Sequence, residues 1–496
     1  MSPVTVPQEQ LNNIESRLAQ VSIANSGKGL KLEFIVIGTG ISGLACAYSL
    51  QKAGHSVHVL EAESSIPKYQ SGMRVPPNLS KIMRRWGLGP ELDKLLSEGC
   101  PRILCRSGTS LGNNTDLVGE ILFYKEIMVA LEADFYFMPY DGLASILYKL
   151  ASDAGVRFSF DSEVVTLHPH ESSVILSSGE IVYGDIIIGA DGSRSIVRRY
   201  LNPENEEDGS HSCVMFTVSM SEIAKDSELY SLTKTPEWNI WMGSNWSAMV
   251  YPMCKGAELA VDFYYKETSQ SVRGGRRQII NTEDFDLDKY NLEPRLRRLM
   301  KMPKRLVRIR EVDQGPLENW SDDLGRTLAI GDAAHQISPA GNHGVAIAVE
   351  DGVVLGELFS RIKDRSQIRL FLNSFQEIRQ SRCETVQLSD KHKLDQVSLP
   401  NGPEQEARDS TYRMMKEFGQ EGEGLSDEIL QTIWEEYQMY YYDPCEEVDN
   451  WRAEWGSLLQ RSLAGSVEET FIPEDTSAPY CNQIRVEHRK SIDWVH

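Results

Sequence analysis

Apolar positions fall in short blocks through the first two thirds of the chain and become helix-periodic in the last third. Residues 1–30 are polar and mixed in charge, and predict a loose arm with one helix over Glu9–Ala24. The continuous apolar run Leu32–Ile37 predicts a buried strand. A glycine-rich turn follows, then a helix over Ser42–Ala53 stopped by Gly54, then a strand over Val57–Leu60 ending at Glu61. Strand, helix and strand in that order predict a parallel β-α-β unit. Residues 141–165 predict a further helix and strand, and 173–190 a hairpin in which Ser173–Leu176 turns at Ser178-Gly179 into one strand over Ile181–Ile188. Between 211 and 315 the pattern favours strands: Val214–Val218, Trp238–Trp241, Ala248–Tyr251 and Leu259–Tyr265. After Ala346 it is helical to the end, broken by the loop Pro400–Pro403. The expected fold class is α/β with a second sheet-rich block and a helical C-terminal region.

Composition narrows the class. The 496 residues are 41% hydrophobic and 25% charged, which suits a globular enzyme. A formal net charge of −21 argues against binding nucleic acid or an anionic membrane by bulk electrostatics. Residues 403–450 hold fourteen Asp and Glu against three Lys and Arg, read as a solvated acidic helical surface. The eight cysteines are scattered without a CxxC pair, so neither a metal nor a disulfide framework is expected. The start lacks the basic and apolar regions of a signal peptide, no apolar run suffices to span a bilayer, and the terminal Asp493–His496 is no targeting signal. A cytoplasmic location follows as an expectation.

Three distant segments carry the chemistry. Gly38, Gly40 and Gly43, after the first strand, fit a dinucleotide turn: one glycine for the tight bend, one for close approach to a pyrophosphate, one for helix–strand packing. Ile41 and Ser42 open the helix whose N-terminus would face the phosphates, and Glu61 with Ala62 ends the next strand, placed to accept from ribose hydroxyls. The second segment is Gly189-Ala190-Asp191-Gly192 with Ser195 and Arg198 beyond it. The third is Gly331-Asp332-Ala333-Ala334-His335, running on to Pro339, Gly344-Val345 and Glu350-Asp351.

In this order the segments resemble the single-component FAD-dependent aromatic hydroxylases, especially the fungal salicylate-hydroxylase-like subgroup. Gly72–Asn78 resembles the loop that such enzymes place against the flavin, and Leu399–Asp409 is similar to the subgroup's C-terminal stretch. The resemblance covers Leu32–Asp443. It implies a Rossmann-like FAD-binding domain over 31–200 and 316–400, an interleaved substrate-domain sheet over 201–315, and a helical acidic region over 401–496. It implies FAD, with NADH or NADPH as co-substrate, and carries cofactor roles onto Gly38, Gly40, Ile41, Ser42, Gly43, Glu61, Ala62, Arg74, Val165, Asp191, Arg198, Gly331, Asp332, Pro339, Gly344 and Val345. Asp332 would hold a ribityl hydroxyl, and the small-residue loop 340–344 would aim N–H groups at the pyrimidine ring. For Asp191 and Asp332 taken singly, a helix N-cap role stays open.

The implied activity is hydroxylation of a phenolic acid of salicylate or 4-hydroxybenzoate type through a flavin C4a-hydroperoxide. Decarboxylative attack and prenylated substrates stay open. The implied partners are that small substrate and O2, on a monomer or homodimer. Two other readings remain: a flavin epoxidase or monooxygenase acting on a nonaromatic secondary metabolite, and an NAD(P)H oxidase-like FAD protein without a hydroxylation substrate. The chain departs from the family where substrate would lie. Tyr140 stands in place of an Arg, His343 in place of a Gln, Phe216–Met220 contains no Arg, and Ser247–Pro252 contains no His. His343, His211 and Tyr251 are the catalytic candidates by residue type, with Tyr230 behind them.

Overall fold

The structure, a computed structural model, describes residues 29–69, 71–96, 98–109, 117–203, 211–267, 277–311, 314–339, 341–418, 431, 435 and 437–465. The expected N-terminal helix Glu9–Ala24 and much of the acidic stretch lie outside the described residues. The chain divides into two compact units, 1–448 and 449–496. Within the second, residues 449–465 are the described ones, and they are helical.

Five parallel strands form the first sheet, in the order Thr327–Ala329, Ile186–Gly189, Glu33–Ile37, Ser56–Leu60, Arg157–Ser159. Their apolar runs are buried, as a sheet covered on both faces requires. The helices Ile41–Lys52 and Gly344–Phe359 pack closely on one another. A Cβ on Gly352 would lie 2.6 Å from the Ala45 backbone, and one on Gly356 would lie 2.7 Å from Ser49 Cβ. Two glycines four apart therefore present one bare face to the first helix.

The hairpin expectation needs correction. Ile181–Tyr183 pairs with Ser173–Leu176 in a three-stranded sheet, while Ile186–Gly189 enters the parallel sheet. The break falls at Gly184-Asp185, where a Cβ on Gly184 would meet Ile35 at 2.8 Å. A single apolar run thus serves two sheets.

The largest sheet has eight strands, in the order Arg277–Asn281, Arg305–Arg310, His211–Ser219, Glu258–Lys266, Trp246–Met253, Trp238–Gly243, Arg102–Ser107, Leu117–Leu122. It thus recruits two strands from well before the expected block 201–315. Strand alternation divides its side chains between two cores. Val214, Phe216, Trp241, Val250, Val261 and Phe263 pack on one face. Cys213, Met215, Trp238, Met249, Tyr251 and Tyr264 occupy the other, with Phe135 and Phe137. A two-stranded sheet, Gly72–Val75 with Tyr136–Pro139, lies against this second face: a Cβ on Gly72 would come within 2.6 Å of Ala260 Cβ.

Candidate functional site

Three neighbouring parallel strands end at Ile37, Gly189 and Ala329, so the three sequence segments meet at one carboxyl edge of the sheet. Gly38 has φ +103°, and a Cβ there would sit 2.6 Å from Ala190 O. A Cβ on Gly43 would sit 2.1 Å from Gly38 O, so these two glycines are fixed by backbone approach. Gly40 differs: nothing lies within 4 Å of its Cβ position. It caps Ile41–Lys52 without a side-chain bond, and no acid occupies the helix's first turn. An open face before a bare helix N-terminus is an anion seat. Ser42 Oγ is buried without a partner among the described residues, beside Gly331, whose Cβ would approach it to 2.7 Å. Asp332 is exposed at the adjoining rim. Open glycine, orphan hydroxyl, helix terminus and accessible carboxylate fit a dinucleotide.

The other expected cofactor residues have varied surroundings. Glu61 Oε2 accepts from Thr39 N at 2.8 Å and from the Thr39 hydroxyl, and Oε1 accepts from Glu63 N at 3.0 Å. The carboxylate thereby braces the glycine turn. Ala62 is exposed next to it, and Val165 is 46% exposed on the strand Val164–His168. Asp191 Oδ2 accepts from Ile196 N at 2.7 Å, while the N-cap of that helix is Ser195, whose hydroxyl accepts from Arg198 N at 2.9 Å. Asp191 Oδ1 is buried without a partner among the described residues, and burial raises its pKa against the pull of Ser195 and backbone N–H groups. Arg198 is buried, and its guanidinium donates to the carbonyls of Ala333, Ala334, Gln314 and Gly315 at 2.7–3.2 Å. Those bonds clamp the segment that carries Asp332.

A buried ionic network supports that segment from below. Asp351 Oδ2 accepts from Gly331 N at 2.9 Å and lies 2.7 Å from His335 Nε2; Asp351 Oδ1 accepts from Arg379 Nε at 2.8 Å. Arg379 Nη1 also donates to Glu350 Oε2 at 2.8 Å. Burial opposes charge on His335, yet Asp351 with Cys383 holds its pKa well above the ordinary value. Burial likewise opposes charge on Asp351 and Glu350, and their cationic partners keep both carboxyls low. His335, Asp351 and Cys383 place possible ligand atoms within 4.8 Å of one another, but both Asp351 oxygens are already bonded.

The segment 341–343 leads into the helix Gly344–Phe359, whose first residues are Gly344 and Val345. It is pinned by Asp390, which accepts from Asn342 N at 2.9 Å and His343 N at 3.2 Å. His343 is fully buried, with Nδ1 3.0 Å from Asp390 Oδ1 and its ring stacked on Tyr440 at 5.7 Å. Tyr140 sits where burial, then Tyr69 and Asp332, raise its pKa. On the other side of the loop, Arg74 is buried. It donates to Pro339 O at 3.0 Å, to Gly341 O at 2.9 Å and to Asp262 Oδ2 at 2.6 Å. Tyr251 Oη donates to the same Asp262 oxygen at 2.8 Å. Burial and then Asp262 push the Tyr251 pKa well up, so this phenol is a donor and not a phenolate base.

His211 stacks on Tyr264 with centroids 5.2 Å apart and rings 8° from parallel. Burial lowers its pKa. Both line a cavity of about 370 Å³ with Glu311, Gln314, His335 and Cys383. Tyr264 Oη donates to Glu311 at 3.0 Å. Tyr230 is 43% exposed on a short helix. The catalytic candidates have separate surroundings: His343 bonds to Asp390, Tyr251 to Asp262, and His211 stacks on Tyr264. Sequence reading missed Asp262, Glu311, Tyr264, Asp390 and Arg379. None of these sits in a motif, and each becomes visible only through a partner distant in the chain.

The comparisons agree with this geometry. A family model described as an FAD binding domain matches residues 31–387. An "FAD-dependent monooxygenase OpS4" from Beauveria bassiana (strain ARSEF 2860) is 28% identical over 386 residues, 76% of this chain and 88% of that protein. The fold is similar to a solved structure of CtdE with FAD and a substrate: TM-score 0.70, 18% identity, covering 86% of this chain and all of that one. It is also similar to a salicylate hydroxylase substrate complex: TM-score 0.65, 18% identity, covering 84% and 97%.

Proposed function

This chain belongs to the FAD binding domain family and is an FAD-dependent monooxygenase, and from that premise we propose that it hydroxylates an electron-rich phenolic ring with NAD(P)H and O2. The observation that most supports a cofactor in the cradle is the open space at Gly40, before the N-terminus of Ile41–Lys52. The pyrophosphate would lie against Gly40 and the N-terminus of Ile41–Lys52, with the ribityl chain along Asp332. Gly344 and Val345 would offer N–H groups to the pyrimidine ring from the start of their helix. FAD, when bound there, supplies the reduced ring that activates oxygen. Arg198, Asp351 and Asp390 hold the two loops that would touch it.

The substrate would sit between the segment 341–343 and the face of the eight-stranded sheet that bears Tyr251, Asp262 and Tyr264. That face carries Trp238, Tyr251 and Tyr264 with Phe135 and Phe137 packed against it, which suits a planar ring. The experiment is substrate-stimulated NAD(P)H oxidation by the purified holoenzyme across phenols, with the product identified by mass spectrometry. Oxygen incorporated into a ring supports the proposal. An epoxide from a nonaromatic substrate, or peroxide alone with every phenol, overturns it. Among the described residues no helix is long and apolar enough to cross a membrane.

A further inference from the structure

We propose that Asp262 is the proton-accepting residue of the substrate site, and that it selects a neutral ring carrying a hydroxyl or N–H donor over an aromatic carboxylate. This rests on the hydroxylase reading above and narrows its substrate class.

The carboxylate has two unlike oxygens. Oδ2 is filled by Arg74 Nη1 at 2.6 Å and Tyr251 Oη at 2.8 Å. Oδ1 is fully buried and has no hydrogen-bond partner among the described residues. A bare carboxylate oxygen in a buried site is costly, and native proteins satisfy such atoms. Arg74 cannot turn to meet an acid. Its Nε and Nη2 are spent on the carbonyls of Pro339 and Gly341, and its Nη1 on Asp262 and Tyr251. The pair is electrically neutral, and its open atom is an acceptor. A substrate carboxylate would therefore meet a carboxylate oxygen, whereas an O–H or N–H would complete the site. Two residues further along the same strand and on the same face, Tyr264 donates to Glu311, adding a second acid. The cations lining the neighbouring cavity are Arg198, which binds four carbonyls, His335, which is paired with Asp351, and exposed Lys391.

In the reaction, the substrate O–H proton moves to Asp262 Oδ1 and its bonding pair stays on the substrate oxygen. That pair raises electron density at the ortho and para carbons. O2 supplies the oxygen of the new ring C–O bond, and NAD(P)H supplies the two electrons that take the other oxygen atom to water as the O–O bond breaks. The attacked carbon then loses its hydrogen as a proton to water, and Asp262 returns the first proton to the substrate oxygen. Groups facing Asp262 are Arg74, Tyr251 and, from the neighbouring strand, Cys213. Burial raises the Asp262 pKa against the pull of Arg74, which brings a carboxylate closer to the range of a useful base.

The test titrates the FAD holoenzyme with resorcinol, 3-hydroxybenzoate and 1,3-dimethoxybenzene, reading the flavin absorbance and NAD(P)H oxidation. Resorcinol should bind at least tenfold more tightly than the other two. Asp262→Asn, which puts an amide donor where an acceptor stood, should weaken resorcinol binding at least tenfold. It should also lower stimulated turnover about 10²–10⁴-fold and abolish the acidic limb of the pH profile. Tm and FAD content of the variant report folding separately, and the wild-type probe contrast needs no variant. Tighter binding of 3-hydroxybenzoate, no binding of resorcinol at millimolar concentration, or an unchanged Asp262→Asn enzyme would each overturn the proposal. Wild-type protein without FAD would instead overturn the hydroxylase reading itself.

Discussion

The cradle at the carboxyl edge of the parallel sheet and the floor on the eight-stranded sheet are built by different means. The cradle is made of short segments in which neighbours in sequence are neighbours in space: Gly38 to Gly43, Asp191 to Arg198, Gly331 to His335. The floor is made of pairs brought together across the chain. Arg74 and Asp262 are 188 residues apart, and Arg74 and Gly341 are 267 apart. Local backbone geometry dictates residue type in the cradle, because a glycine or a strand-end Asp is demanded by shape. On the floor a charge is tolerated only because another element supplies its partner, so residue type there depends on tertiary structure.

The largest expected effect comes from attacking the buried ionic network beneath the cradle. Arg379→Met removes one of two cationic partners from each of the buried Glu350 and Asp351, leaving Arg382 and His335, a loss toward the lower end of about 3–5 kcal/mol. Thermal unfolding should show a large drop in Tm with loss of bound FAD, and an unchanged Tm would remove the network from the account. Next come two glycines three residues apart. Gly43→Ala drives a Cβ into Gly38 O and should destabilise the apoprotein by about 1–3 kcal/mol. Gly40→Ala meets no atom within 4 Å and should leave the apoprotein's Tm unchanged while weakening FAD binding. Equal effects of the two on apoprotein stability would contradict the distinction between packing and cofactor glycines.

The parallel sheet, the glycine turn and the positions of Asp191 and Asp332 were legible because each rests on local periodicity or backbone shape. The hairpin expectation failed at Gly184, since an apolar run does not reveal that it is shared between two sheets. Strands Arg102–Ser107 and Leu117–Leu122 joined a sheet whose other members begin near 211, which no local signal announces. Phe216–Met220 carries no Arg, and the arginine that does reach this face, Arg74 from the strand Gly72–Val75, is committed to Asp262, Pro339 and Gly341. His343, which the sequence leaves open between the flavin or substrate pocket and a plain loop role, bonds to Asp390 and stacks on Tyr440.

Two smaller effects sharpen the picture. Glu61→Ala removes an acceptor that braces Thr39, and should weaken FAD binding by about 1.5–3 kcal/mol if a ribose hydroxyl also bonds there. Isothermal titration of the apoprotein measures it, and unchanged affinity would confine Glu61 to holding the turn. The weakest expected effect is a pH slope. The pKa of His335 is raised in the folded protein, so its contribution is full below the ordinary histidine value of 6.5 and is lost as pH rises through the folded one. Wild-type Tm should therefore fall more between neutral and alkaline pH than that of His335→Gln. Parallel curves would mean that the Asp351 contact is insensitive to His335 charge.

The central claim is that Gly40, Ser42 and Asp332 together form an FAD seat. The absorption spectrum of the purified protein, wild type beside Asp332→Ala, tests it most directly. The account predicts a yellow wild type with flavin bands near one FAD per chain, and a variant that folds but loses most of the colour. A colourless wild type that takes up no added FAD, or a variant as fully loaded as the wild type, would contradict it.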